Sequence, residues 1–180
     1  MARRRAILAV AGVLAGAMAL VGCVDHAGPD DTRASAVYAA VVRWFVHDET
    51  GIAAPPATVP EDERFHVFLE PRGEGARIDL QVQTELIEDL SDVVVVRFID
   101  ALDEAIEQPS DEDGTSAVRD GGVLLRLDPI PEEGDRVEVD VDRWVRSVDD
   151  AEEFETLRFE VVAHGDEWRV KGTPQAVTPG

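Results

Sequence analysis

The chain has 180 residues, 17 of them basic and 38 acidic, for a formal net charge of −21. Charge of that sign repels phosphate backbones and anionic headgroups, so no nucleic-acid partner is expected. A single cysteine, Cys23, leaves no intrachain disulfide to staple the fold.

Arg3, Arg4 and Arg5 open the chain, and Ala6 to Gly22 follow as 17 uncharged, small or apolar residues. This pattern predicts a secretory signal over residues 1–22. A 17-residue helix spans about 25 Å at 1.5 Å per residue, short of the roughly 30 Å hydrocarbon core, so a permanent membrane span is not expected there. Leu20-Val21-Gly22-Cys23 resembles the lipobox of bacterial lipoproteins. In that class the cysteine thiol is acylated and the chain is cut before it. The resemblance implies that Cys23 is a palmitate-type lipid anchor holding the protein on the extracytoplasmic face of the cell membrane, in the cell envelope. Two acyl chains hold stably where one holds only marginally. Arg4-Arg5-Ala6-Ile7-Leu8 also resembles a twin-arginine signal, which leaves the export route open.

Removing residues 1–22 leaves 158 residues and takes the basic count from 17 to 14, so the net charge becomes −24. That length suits one domain, which buries roughly 68–70% of its unfolded surface. Residues 23–34, with Gly28-Pro29-Asp30-Asp31, are expected to form the lipidated cysteine and a short tether, residues 35–174 the domain, and residues 175–180 a tail.

From Arg33 to His47, Val37, Val41, Trp44 and Phe45 recur at helical spacing, and Tyr38, Val42 and Val46 widen the stripe into a mostly buried helix. Gly51 and Ala54-Pro55-Pro56 end it and open a loop. His66 to Leu69 form a short strand. Asp79 is placed to cap a second helix whose apolar face carries Leu80, Val82, Leu86, Ile87 and Leu90. The run Val93 to Val96 has no polar face and predicts a central strand covered on both sides. Asp100 to Gln108 suit one or two helical turns, and Pro109 to Gly122 an acidic loop. Four alternating strands follow: Val123, Leu125 and Leu127; Val137, Val139, Val141 and Val145; Leu157, Phe159, Val161 and Ala163; Trp168 and Val170. Gly165-Asp166 predicts a tight hairpin between the last two.

Two helices followed by an antiparallel meander predict an α+β fold, with the helices packed on one face of a twisted, mostly antiparallel sheet. The element order resembles the cone-shaped sheet of the nuclear-transport-factor-2-like fold, and equally a cystatin-like sheet over a helix.

Candidate chemistry is sparse. Ser35, Ser91, Ser110, Ser116 and Ser147 all lack a nucleophile-elbow setting, so no catalytic residue and no cofactor are expected. His26, His47, His66 and His164 read as surface or capping residues, and Glu63 to His66 make a poor zinc frame. Asp111, Glu112 and Asp113 fail the calcium-loop frame, since Ser116 and Gly122 stand where glycine and glutamate belong. They remain weak candidates for divalent cations, as do Glu138, Asp140 and Asp142, which alternate on one strand beside Trp144. Those three carboxylates suit either a solvated face paired with Arg158, Arg169 and Lys171, or a carbohydrate site. The expectation is a lipid-anchored envelope protein acting as a non-catalytic interaction module on an envelope protein or small molecule. The alternative is a carbohydrate-active enzyme or carbohydrate-binding module using the sheet carboxylates.

Overall fold

The computed structural model describes residues 29–50, 64–107, 116–148 and 151–178. The predicted leader, Cys23, and the acidic residues Asp111, Glu112 and Asp113 lie outside the described residues. Two helices, α1 (Pro29–Thr50) and α2 (Leu80–Leu90), pack against a sheet built from β1 (His66–Pro71), β2 (Val95–Phe98), β5 (Val123–Leu127), β6 (Arg136–Val148), β7 (Ala151–His164), β8 (Glu167–Val170) and β9 (Gln175–Val177). A separate short ribbon pairs β3 (Ile106–Glu107) with β4 (Ala117–Val118). Among the described residues no helix is long and apolar enough to cross a membrane. The α+β class read from the sequence is the class observed.

α1 starts at Pro29, so the segment expected as tether up to residue 34 is helical from there on. Proline at a first helical position lacks an N–H that would be orphaned anyway, and its fixed φ suits the turn. Arg33 then donates to the carbonyl oxygens of Pro131, Glu133 and Gly134, fastening the first turns of the helix to the β5–β6 connection. The far end of the chain is corrected too. Gln175 to Val177, expected as tail, pair with β7 in the register Arg158↔Gln175 to Thr156↔Val177.

The sheet order β2-β1-β5-β6-β7-β8 divides it into two halves. β1 pairs in parallel with both β2 and β5, whereas β5 through β9 are antiparallel. Parallel neighbours need a crossover, and α2 supplies it between β1 and β2. The run at Val93 to Val96 is therefore not a central strand. Val93 and Val94 close the exit turn of α2, their N–H groups donating to Leu90, and Val95 and Val96 are half-buried on the edge strand β2. The place covered on both faces belongs to β1 and β5, in which Phe68 and Leu124 are as deeply buried as their neighbours.

Asp79 caps α2 as expected, accepting from the Gln81 N–H at 2.7 Å. Only Val82, Leu86 and Leu90 of its predicted face are buried; Leu80 and Ile87 are 76% and 45% exposed. At 100° per residue those two fall well away from the row at 82, 86 and 90. β7 and β8 join through Gly165-Asp166, with Gly165 at φ +68° taking the left-handed position the two-residue turn requires. Val145, expected inward, is 45% exposed because the β6–β7 register shifts between Trp144 and Arg146.

One face of the sheet presents Val67, Leu69, Val123, Leu125, Leu127, Val137, Val139, Val141, Leu157, Phe159 and Val161 to the helices. α1 meets it with Val37, Val41 and Phe45, and Trp44, Phe45 and Phe159 touch ring to ring at 5.2 to 5.3 Å. The opposite face carries a second, smaller cluster of Phe68, Ile99, Ala105, Ile106, Leu124 and Trp144. A 3-10 turn at Leu102–Glu104 and the β3–β4 ribbon form a cap over it.

Candidate functional site

Beyond that cap, the second face of the sheet is a charged ladder. Glu138, Asp140 and Asp142 do point the same way on β6, opposite Glu160, Arg158 and Thr156 of β7. Arg158 grips Asp140 through two hydrogen bonds, Nε to Oδ1 at 2.6 Å and Nη2 to Oδ2 at 2.7 Å. These bonds hold the Asp140 carboxyl below its ordinary range and raise the guanidinium further above its own. Asp142 accepts from the Thr156 hydroxyl at 2.6 Å and lies 3.0 Å from Arg72 Nε. Glu138 is exposed and directly opposes Glu160, a like-charge pair relieved because Lys171 Nζ donates to Glu160 at 2.9 Å and Arg136 lies 3.1 Å away. The Lys171 bond also holds Glu160 below its ordinary carboxylate range.

General acid and base work needs two carboxyls in unlike environments, one kept protonated. Here Asp140 is stabilised as an anion and both it and Asp142 are engaged by guanidinium groups. Trp144, the aromatic expected beside them, is 8% exposed and packs into the second core, so it offers no open stacking platform. The ladder runs further than the acidic triad: Arg126 donates to Glu70 at 2.6 Å and stacks 4.0 Å above Phe154. The alternation of Leu125, Arg126 and Leu127 placed that arginine on this face; its pairing with Glu70 had no signal, because β1 and β5 are adjacent only through parallel pairing.

On the helix side, α1, α2 and the β7–β8 turn enclose a groove of about 800 Å³. Its wall includes Ser35, whose Oγ lies 2.7 Å from Glu85 Oε2, and the ion pair Arg43–Asp89 at 2.9 Å. Arg169 pairs with Glu167 and holds that carboxyl below its usual range. Trp168 closes the groove, with the Arg33 guanidinium 5.2 Å from its ring. Carboxylates, the guanidinium groups of Arg43 and Arg169 and the Trp168 indole thus line the groove together.

His47 and His164 are exposed as expected, but His66 is buried, a correction to its reading as a surface residue. Its Nδ1 lies 2.9 Å from Asp120 Oδ2. The cause is a close approach that sequence reasoning missed: a Cβ on Gly122 would stand 2.4 Å from the His66 carbonyl oxygen, so only glycine lets the Arg119–Gly121 turn press onto β1. Among the described residues no group of three or more His, Cys, Asp or Glu is placed to hold a metal ion.

No family model, no curated protein and no solved structure matches this chain.

Proposed function

We propose that this protein is a lipid-anchored lipoprotein of the cell envelope whose acidic α+β domain works by binding and not by catalysis. The observation that carries the anchor is Leu20-Val21-Gly22-Cys23 behind an uncharged stretch, with Cys23 the sole thiol. α1 begins at Pro29, a few residues beyond Cys23, so the anchor keeps the domain close to the bilayer. Its strong negative charge keeps the domain from adhering to anionic headgroups. The binding reading draws on the groove beside Trp168, whose largely acidic wall suits a polar or cationic partner. Divalent cations are expected to associate with the acidic surface only weakly.

Labelling cells with a radioactive fatty acid and fractionating them tests the reading. The parent protein is expected in the membrane fraction with label on the mature chain. Cys23→Ser is expected to lose the label and to be released or left unprocessed. Unchanged membrane association of an unlabelled mature chain would overturn the anchor.

A further inference from the structure

β2 closes one end of the sheet, at the opposite end from β8 and Trp168, and among the described residues no strand pairs with its outer side. Its inner side is fixed by register: the N–H groups of Val95 and Ile99 donate to the carbonyl oxygens of Phe65 and Leu69, both at 3.0 Å. Alternation along the strand then turns the N–H and C=O of Val96 and Phe98 outward, where an added strand would meet them. Natural edges are commonly blunted by proline, a bulge or a guarding charge. β2 is only four residues long, which limits pairing to a short segment, but it has neither proline nor bulge. Its one charged side chain, Arg97, is turned to the second face, 5.8 Å from the centre of the Phe68 ring and 3.7 Å from Asp120.

Beside this open edge, the C-terminal ends of β1 and β2 and the first turn of α2 leave a hollow of about 630 Å³, walled by Leu69, Ile78, Leu80 and Phe98, with Arg77 and Asp100 also lining it. Leu80 is 76% exposed there, more than any other large apolar side chain among the described residues. Val96 and Phe98 point to the helix side of the sheet. An extended chain laid along β2 places every second side chain on that same side, so one of them reaches the hollow and covers Leu80. Charge selects the occupant. From Glu88 to Glu104, six exposed carboxylates stand against the single Arg97. A second copy would bring the same acidic flanks, at a net −21 per chain, and be repelled. We infer that the outer edge of β2 takes up an extended, basic peptide segment of a partner protein by strand addition, with one apolar side chain seated beside Leu80. This surface is separate from the groove beside Trp168.

The probe is the capped peptide Lys-Thr-Lys-Leu-Lys-Thr-Lys, titrated into the full-length protein in a nonionic detergent, with amide hydrogen exchange read by NMR. At saturation it is expected to slow exchange at Val96 and Phe98 by about ten-fold. The same peptide with every second amide N-methylated, in either phase, keeps its charge and loses its donors; one of the two phases is expected to give no protection. Leu80→Ser alters an exposed side chain, so the fold is kept, and is expected to weaken binding by roughly ten-fold, the worth of one apolar side chain left uncovered. Equal binding of all three peptides without protection at Val96 and Phe98 would reduce the effect to charge attraction and overturn strand addition. Protection of those two amides in a dimer formed without peptide would overturn the choice of partner, since the edge would then belong to a second copy. Unchanged affinity in Leu80→Ser would overturn the seating of a side chain in the hollow.

Discussion

The two faces of the sheet are made by the same strands, yet they are stabilised by different means. Odd-numbered positions of β1, β5, β6 and β7 bury valine, leucine and phenylalanine under two helices; even-numbered positions give a small capped cluster at one end and ion pairs over the rest. Alternation alone allots residues to faces. What covers a face decides how much each residue contributes, because apolar burial yields about 25 cal/mol per Å² while an exposed ion pair yields about 0 to 1 kcal/mol. The first face should accordingly carry most of the stability, and the second most of the adaptability.

The same large-to-small change on each face probes the comparison most directly. Phe159, fully buried between Trp44 and Phe45, is expected to cost about 4 to 5 kcal/mol on replacement by alanine, since helices and sheet leave its surroundings little room to relax. Phe68→Ala, equally buried but lying under a cap of short elements, is expected to cost nearer 3 kcal/mol. Urea unfolding of both variants at neutral pH gives the difference. Equal costs would mean that the cap is as rigid as the helices.

Tyr38 sharpens the contrast from the helix side. Burial, with Asp128 as a second cause, pushes its hydroxyl from the ordinary 10.0 up to about 12, and the hydroxyl donates to the Asp128 carbonyl at 3.0 Å. A phenol whose folded pKa is raised favours the folded state while it stays protonated. Its contribution is fully present below about pH 10 and is lost as the pH climbs through about 12. Tyr38→Phe has no proton to lose, so the parent should shed on the order of 2 kcal/mol across that window that the variant keeps. Parallel alkaline curves would show that the hydroxyl reaches water.

The elements that were legible in the sequence are those fixed by local chemistry. Asp79 announced a helix start, Gly165-Asp166 a hairpin, and the period of two in Val137, Val139 and Val141 a half-buried strand. The rest depended on partners distant in the chain. Nothing in Val93 to Val96 tells an edge from a centre, because a parallel strand under a crossover helix is as apolar as one in mid-sheet. The alternation of Val123, Leu125 and Leu127 carries no sign that Leu124, on the other face, is covered by Ile99, Ala105 and Ile106. Among the candidate functional residues, the shared face of Glu138, Asp140 and Asp142 was legible from their spacing, and so was Arg158 as a partner. Arg72, which reaches Asp142 from beyond β1, and the burial of His66 behind Gly122 were not, since both arise from contacts set by the tertiary fold.

The smallest expected effect lies on the charged ladder, at Asp140. Its side chain is 18% exposed and held by both arms of Arg158, but the guanidinium itself is 47% exposed, so solvent and salt screen the pair. Asp140→Asn keeps the shape and removes the charge, and should cost no more than about 1 kcal/mol at pH 7. Arg158 holds the folded carboxyl below its unfolded value, so the contribution is present in full above about pH 3.9 and disappears as the pH falls through the folded value. The gap between parent and variant in urea unfolding should therefore close in acid, and should also shrink in about 1 M salt, where the screening length falls to roughly 3 Å. A gap of several kcal/mol, indifferent to salt and acid, would mean that Asp140 is desolvated like a core residue. The second face would then stand level with the first, and its carboxylates would have to be reconsidered as a buried, preorganised site.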